Sequence, residues 1–305
     1  MKPDDRILGV WCAMLTPVTP TGLLDGALFS EHAAMLLRRG VDGLAPFGTT
    51  GEGQSFSVAQ RRAGLEALLA AGIAPSRIVP GTGCAAMHDT IGLTRHAIES
   101  GCRGVLVLPP FFFKNIGDEG VVTSYRRLIE GVGDNRLRIY LYHIPQVTGM
   151  PIGHPAIERL VAEFPDVIAG VKDSAGNLEH SLALVRRFPT LNILVGNEPH
   201  LPDLLAAGGA GTICGIANLY PERLRRLHDA RTDAERREQL AFLRELFAAL
   251  EPHSLMPAVK AIRALLGGEL RWLNVMPPLV ALDDASRARL TAAVETLVRT
   301  EPVTA

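Results

Sequence analysis

Eight times over, a short apolar run of β character is followed by an amphipathic segment rich in Ala, Leu and Arg, and this alternation constrains the chain more than any other feature. The runs are Leu8–Thr16, Gly43–Phe47, Arg77–Pro80, Gly104–Leu108, Arg138–Ile144, Ile168–Lys172, Asn192–Val195 and Thr212–Ile216. The helical patterns that follow them are Phe29–Arg39, Val58–Ala71, Asp89–Ser100, Glu119–Gly131, His154–Phe164, Leu178–Phe188, Leu201–Ala207 and Pro221–Ala230. Apolar runs closed by turn residues fit strands buried on both faces, and strands that alternate with helices pair in parallel. Eight strand–helix units in succession predict a (β/α)8 TIM barrel, an architecture of about 250 residues. Of the 305 residues, those after Ala230 carry no strand signal. There Ala234–Leu250, Met256–Leu266 and Ser286–Arg299 read as helices, broken at Pro252, Gly267-Gly268 and Pro277-Pro278. Residues 1–230 are therefore expected to form the barrel, and 231–305 a helical C-terminal extension packed on it.

A barrel of this kind gathers its chemistry where the loops after the strands meet. The strand ends here read Thr16-Pro17, Gly48-Thr-Thr-Gly-Glu52, Gly81-Thr-Gly83, Pro109-Pro110, Tyr142-His143, Lys172-Asp173, Gly196-Asn-Glu198 and Ala217-Asn218. Lys172 stands out among them. The chain has only four lysines, Lys2, Lys114, Lys172 and Lys260, within a lysine-plus-arginine total of 31, so surface cation is mostly arginine. Alternation puts Ile168, Gly170 and Lys172 on one face of their strand, and Tyr140, Tyr142 and Ile144 on one face of the preceding strand. A desolvated lysine loses part of its preference for the charged form and becomes a nucleophile. A lysine at a strand end can equally extend its head to water, and the strand by itself leaves both readings open.

Bulk properties narrow the partners. Hydrophobic residues make up 47% and charged residues 21%, with a formal net charge of −1. That balance gives no basic footprint for nucleic acid or an anionic membrane surface, and it favours small ligands. Met1–Arg6 lacks the apolar core of a signal peptide, and the longest apolar stretches, such as Gly104–Phe113, are too short to cross a bilayer, so a cytoplasmic location is expected. Cys12, Cys84, Cys102 and Cys214 form no Cys-x-x-Cys pair, which argues against a zinc site or a disulfide framework.

Three separated motifs carry a resemblance: Gly48-Thr-Thr-Gly-Glu52, Tyr142-His-Ile-Pro-Gln-Val-Thr-Gly149 and Gly170-Val-Lys-Asp-Ser174. Together, over about residues 7–300, the chain resembles the dihydrodipicolinate synthase / N-acetylneuraminate lyase family of pyruvate-dependent class I aldolases. The resemblance implies a (β/α)8 barrel, usually a homotetramer, with pyruvate and an aldehyde as substrates and no metal or organic cofactor. It implies Lys172 as the Schiff-base lysine, Tyr142 as the proton-passing phenol and Thr49 as the hydroxyl behind it. Thr50 and the loop amides at Gly51 correspond to donors for the pyruvyl carboxylate, and Ile213 to a pyruvate contact. Gly196 and Val147 fall among the substrate-binding positions.

Two departures narrow the expected reaction. Where the family's lysine-biosynthetic synthases place a carboxylate-gripping arginine, this chain has Val147, and where they place a second relay tyrosine it has Pro110-Phe-Phe-Phe113. The pattern is similar to that of aldolases acting on 2-keto-3-deoxy-sugar acids, with 4-hydroxy-2-oxo acids as a broader class. A 4-hydroxy-tetrahydrodipicolinate synthase, a 2-keto-3-deoxy acid dehydratase and a non-catalytic pyruvate sensor are the alternatives. A sensor would be expected to lose Lys172 or Tyr142. Gly81-Thr-Gly-Cys-Ala-Ala86 fits a dinucleotide fingerprint, but Glu99, the acidic residue at the right spacing, lies in a helical stretch. Among the nine histidines only His143 ends a strand, facing away from Tyr142, and Glu198 with His200 reads as a solvated loop pair.

Overall fold

The computed structural model describes residues 7–299; Met1–Arg6 and the end of the expected extension, residues 300–305, lie outside them. Seven parallel strands form one sheet: β1 (Gly9–Cys12), β2 (Gly43–Leu44), β3 (Val105–Val107), β4 (Ile139–His143), β5 (Ile168–Asp173), β6 (Asn192–Val195) and β7 (Gly211–Cys214). Their spatial order is β2-β1-β7-β6-β5-β4-β3. The expected strand at Arg77–Pro80 survives only as two isolated bridges, Leu44 with Ile78 and Gly81 with Leu106. Its ladder is nonetheless real. Val79 N donates to Leu44 O (2.9 Å), Gly81 N to Pro46 O (2.8 Å), and Leu106 N to Pro80 O (2.9 Å). Pro80 has no N–H to offer, and a 3-10 turn over Pro75–Arg77 takes up the start of the run, so this stave stays short. It bridges β2 to β3 and closes a (β/α)8 barrel.

The helices are α1 (Gly26–Arg38), α2 (Val58–Ala70), α3 (Met87–Glu99), α4 (Gly117–Val132), a single turn α5 (Pro145–Thr148), α6 (His154–Glu163), α7 (Leu178–Arg187), α8 (Leu201–Ala206), α9 (Pro221–Asp229), α10 (Asp233–Leu250), α11 (Leu255–Gly267) and α12 (Asp284–Arg299). Polar side chains fix several starts: Asp25 accepts from Leu28 N, Asn177 accepts from His180 N, and Ser57/Gln60 and Thr232/Glu235 form capping boxes. Among the described residues no helix is long and apolar enough to cross a membrane.

Two apolar layers result. The larger lies between strands and helices; the smaller fills the barrel with Trp11, Leu106, Tyr140, Tyr142, Leu194 and Ile213 among others. Tyr140, Tyr142 and Ile144 do share the inner face, as alternation predicts, whereas Ile168 packs outward and Ala169 inward. The cause is an extra residue in β5: Ile139 pairs with Ile168 but Tyr140 pairs with Gly170. This bulge brings Lys172 opposite Tyr142 on the neighbouring strand. Gly170 is required there, since a Cβ would lie 2.2 Å from Asn192 O and 2.9 Å from the Tyr140 ring.

The extension packs on the barrel through specific contacts. Trp272 meets His32 edge-on at 4.7 Å between ring centroids, Arg271 pairs with Asp25 (2.7 Å), and Asn274 Nδ2 donates to Val18 O (3.0 Å). The Lys260 ammonium forms an ion pair with Glu52, and both side chains are fully buried. His32 is buried as well. Its Nε2 carries a proton toward Asn218 Oδ1 (2.9 Å), an oxygen fixed as an acceptor by Leu15 N (2.9 Å). The other nitrogen, Nδ1, has no partner, and burial lowers the His32 pKa to about 3.

Candidate active site

The loop after β2 is held at both ends by non-glycine residues in the left-handed region, Phe47 (φ 60°) and Glu52 (φ 54°). Such conformations persist only when their surroundings impose them. The Phe47 ring is buried against Phe29 and Phe56 (5.6 and 6.3 Å between centroids), and the Glu52 carboxylate is taken by Lys260 and by Met276 N (2.6 Å). Between these anchors stand Thr49 and Thr50. Thr49 Oγ1 lies 3.1 Å from Tyr142 Oη.

Tyr142 and Lys172 are each 3% exposed. Lys172 Nζ sits 4.1 Å from the centroid of the Tyr142 ring, a cation–π distance. Among the described residues no carboxylate lies within ion-pair distance of that ammonium. Gly196 lets the lysine and its neighbour through: a Cβ at that position would lie 2.0 Å from Ser174 Oγ and 3.4 Å from Lys172 Cε. Above this floor opens a cavity of about 440 Å³, within the usual range for small-molecule sites.

Of the residues singled out in the sequence, Thr49, Thr50, Tyr142, Val147, Lys172, Gly196 and Ile213 line the cavity. Gly51 does not. It is buried behind the loop, where its carbonyl accepts from Thr16 Oγ1 (2.8 Å) and a Cβ would lie 2.6 Å from Met14 O. Ser174, Gln146 and Glu198 join the lining. Ser174 was recoverable from the sequence, since alternation puts it on the face of Lys172. Glu198 is no solvated partner of His200: a 3-10 turn tucks it under the loop after β7, where Oε1 accepts from Ile216 N (3.0 Å), and burial raises its pKa. A wall of Phe247, Leu255, Met256 and Val259 comes from α10 and α11, and no local signal marks it as part of a site.

Two other sequence features find different roles. His143, Asp173 and His180 bring ligand-type atoms within 4.8 Å of one another on the outer side of the strands. Asp173 Oδ2 already accepts from His180 Nδ1 (2.9 Å) and Ser181 Oγ (2.6 Å), His143 Nδ1 accepts from Ile152 N (3.1 Å), and the His143 and His180 rings stack at 4.6 Å, so these groups serve one another. Burial pushes the Asp173 carboxyl up, but these hydrogen bonds outweigh it and leave the pKa lowered; burial lowers that of His143 to about 4. In the Gly81–Ala86 loop, Arg61 and Gln54 Nε2 both donate to Gly83 O (3.3 and 2.8 Å), so the loop turns carbonyls toward the protein's own side chains.

Comparison with known proteins agrees with this geometry. The Dihydrodipicolinate synthetase family model matches residues 6–297. An uncharacterised DapA-like lyase of Chloroflexus aurantiacus is 36% identical, with 95% of this chain and 97% of the relative covered. The crystal structure of dihydrodipicolinate synthase from Agrobacterium tumefaciens superposes with a TM-score of 0.89 at 34% identity, covering 95% of this chain and 99% of that one. A variant of Sulfolobus solfataricus 2-keto-3-deoxygluconate aldolase shares the fold, with a TM-score of 0.86 at 22% identity over 95% of this chain and 96% of its own. The chain belongs to the dihydrodipicolinate synthetase family and is a lyase of that family.

Proposed function

We infer that the enzyme is a pyruvate-dependent class I aldolase in which Lys172 forms the Schiff base. The observation that carries this reading is a buried lysine without a carboxylate partner, 4.1 Å from the ring of a tyrosine whose hydroxyl lies 3.1 Å from Thr49. The neutral amine of Lys172 attacks the C2 carbonyl of pyruvate, water leaves the carbinolamine, and the iminium draws electrons from C3, which loses a proton to give an enamine. The enamine carbon attacks the aldehyde carbonyl, whose oxygen takes up a proton, and hydrolysis returns the lysine with a 4-hydroxy-2-oxo acid; cleavage runs the same steps backwards. Tyr142 passes the protons, with Thr49 holding its hydroxyl in place. Thr50 supports the pyruvyl carboxylate, Ile213 and Gly196 shape its pocket, and Gly51 acts through loop conformation.

The product class is a 2-keto-3-deoxy-sugar acid or another 4-hydroxy-2-oxo acid. A second reading, 4-hydroxy-tetrahydrodipicolinate synthase, is favoured by the 34% identity to the Agrobacterium enzyme. Against it, Val147 stands 57% exposed at the cavity mouth and no arginine among the described residues lines the cavity. Residues 1–230 act as the catalytic barrel and 231–305 as the extension that completes it, in a cytoplasmic enzyme. Exposed Phe112 and Phe113 support assembly with further copies, for which the resemblance implies a homotetramer.

Borohydride reduction with pyruvate tests the reading. The peptide bearing Lys172 should gain the mass of the reduced adduct, and a label on Lys114 or Lys260, or none, overturns the assignment. Turnover of 4-hydroxy-2-oxo acids should exceed condensation of pyruvate with aspartate semialdehyde by at least about tenfold in kcat/KM, because a guanidinium–carboxylate contact is absent.

A further inference from the structure

Building on the reading of Lys172 as the Schiff-base lysine, we propose that the aldehyde partner is apolar beyond its carbonyl carbon, so that the enzyme forms or cleaves 4-hydroxy-2-oxo acids bearing an alkyl or aryl tail. The cavity is polar at its floor and apolar above it. Thr49, Thr50, Tyr142 and Lys172 sit at strand and loop ends, where pyruvate would bind. The wall facing them is built by Val147, Ile216, Phe247, Leu255, Met256 and Val259.

Charge points the same way. Among the described residues Lys172 is the only lysine on the lining and no arginine joins it, while Glu198 contributes a buried carboxyl. A phosphate or carboxylate at the far end of the substrate would meet no cation among the described lining residues. Two of the polar side chains on the lining are already engaged: Gln146 Nε2 donates to Ser174 O (2.6 Å), and Glu198 Oε1 accepts from Ile216 N (3.0 Å). Ser174 and Asn197 remain for the single hydroxyl that the aldehyde oxygen becomes. Each further hydroxyl of a sugar chain would press on apolar wall without a partner, at a cost of roughly five- to a hundredfold in binding.

The mouth gives a second, independent indication. Leu255 is 47% exposed and Val147 57% exposed, large apolar side chains on the edge of a cavity that no other described residue covers further. An apolar tail would remove both from water, with about two- to fourfold in binding for each methylene buried.

The test uses the full chain with pyruvate and an aldehyde series: propanal, butanal, pentanal and hexanal, set against glyceraldehyde and glyceraldehyde 3-phosphate. The proposal expects kcat/KM to rise about two- to fourfold per methylene, glyceraldehyde to fall at least about tenfold below propanal, and the phosphate ester to be poorer still. Leu255→Asn, at an exposed position that the fold tolerates, should narrow the hexanal-to-propanal ratio to about twofold. A flat series, or a preference for glyceraldehyde or its phosphate, overturns the tail assignment while borohydride still traps pyruvate on Lys172. Failure of trapping would bring down the site reading and this inference with it.

Discussion

Among the described residues two lysines are buried, and they are buried in opposite ways. Lys260, on α11, is fully enclosed: it is paired with Glu52, its Nζ donates to Asn274 O (2.9 Å), and burial lowers its pKa while Glu52 pulls it back up. Lys172, on β5, is 3% exposed and faces an aromatic ring and a cavity instead of a carboxylate. Burial by itself therefore does not produce a nucleophile. What matters is whether the desolvated amine is given a counter-ion, which holds it as a structural cation, or an opening, which leaves it available to a carbonyl carbon. The pair is also linked, because Glu52 closes the same loop that carries Thr49 and Thr50. One lysine does the proposed chemistry, and the other braces the backbone beside it.

The contrast breaks most sharply at Lys172. Lys172→Met should reduce turnover by on the order of 10⁵-fold and abolish borohydride trapping, yet leave the melting temperature unchanged or raised, since it removes an unpaired buried ammonium. A marked loss of stability would mean that this lysine, too, is a structural cation. Tyr142→Phe sharpens the point. It should lower kcat by about 10²–10⁴ while still allowing slow trapping on Lys172.

Next comes Lys260. Replacing it by Met strands Glu52 in the interior and should cost about 3–5 kcal/mol, seen as a fall in Tm of roughly 10 °C. Adding Glu52→Gln, which keeps an acceptor for Met276 N, should recover most of that loss. A single variant as stable as the parent, by thermal or urea unfolding, would remove the brace from the account.

The smallest effect concerns two buried histidines, His32 and His143. His32, with a pKa near 3, and His143, near 4, are neutral in the folded chain, whereas an unfolded histidine titrates near 6.5. Between about pH 6.5 and 4 the unfolded chain binds protons that the native one refuses, so stability must fall as the pH falls. At pH 5 the loss is about 2 kcal/mol for each histidine. Urea midpoints at pH 7 and pH 5 measure it, and His32→Gln should flatten the dependence by about half. Identical midpoints would contradict the burial argument.

How far the sequence foretold these features follows from what each depends on. Lys172 was legible as a candidate because an amine ending an apolar β run is a local pattern, but the run by itself left a buried and a solvated head equally open. Lys260 was not, because its helix reads as an ordinary amphipathic one and its counter-ion comes from the distant loop after β2. The eight-unit alternation anticipated the barrel, since period and turn chemistry are properties of short windows. The run Arg77–Pro80 was legible, but its contraction to a short stave and the bulge at Ala169 were not, because pairing register belongs to two strands at once, and the bulge corrected the face assigned to Ile168. Gly51 sits in a motif that points at the site, but its place behind the loop depends on Met14 and Thr16 of another strand. The wall from α10 and α11 had no signal, since any apolar helix face looks the same until its neighbour is known.

That wall has a consequence for how such an enzyme could change its diet. The proposed reacting groups ride on strand and loop ends before residue 220, while much of the apolar cavity wall rides on helices after residue 233. Swapping that C-terminal stretch between relatives would transplant substrate preference and leave the bond-making apparatus untouched, provided the Glu52–Lys260 joint across the seam travels intact.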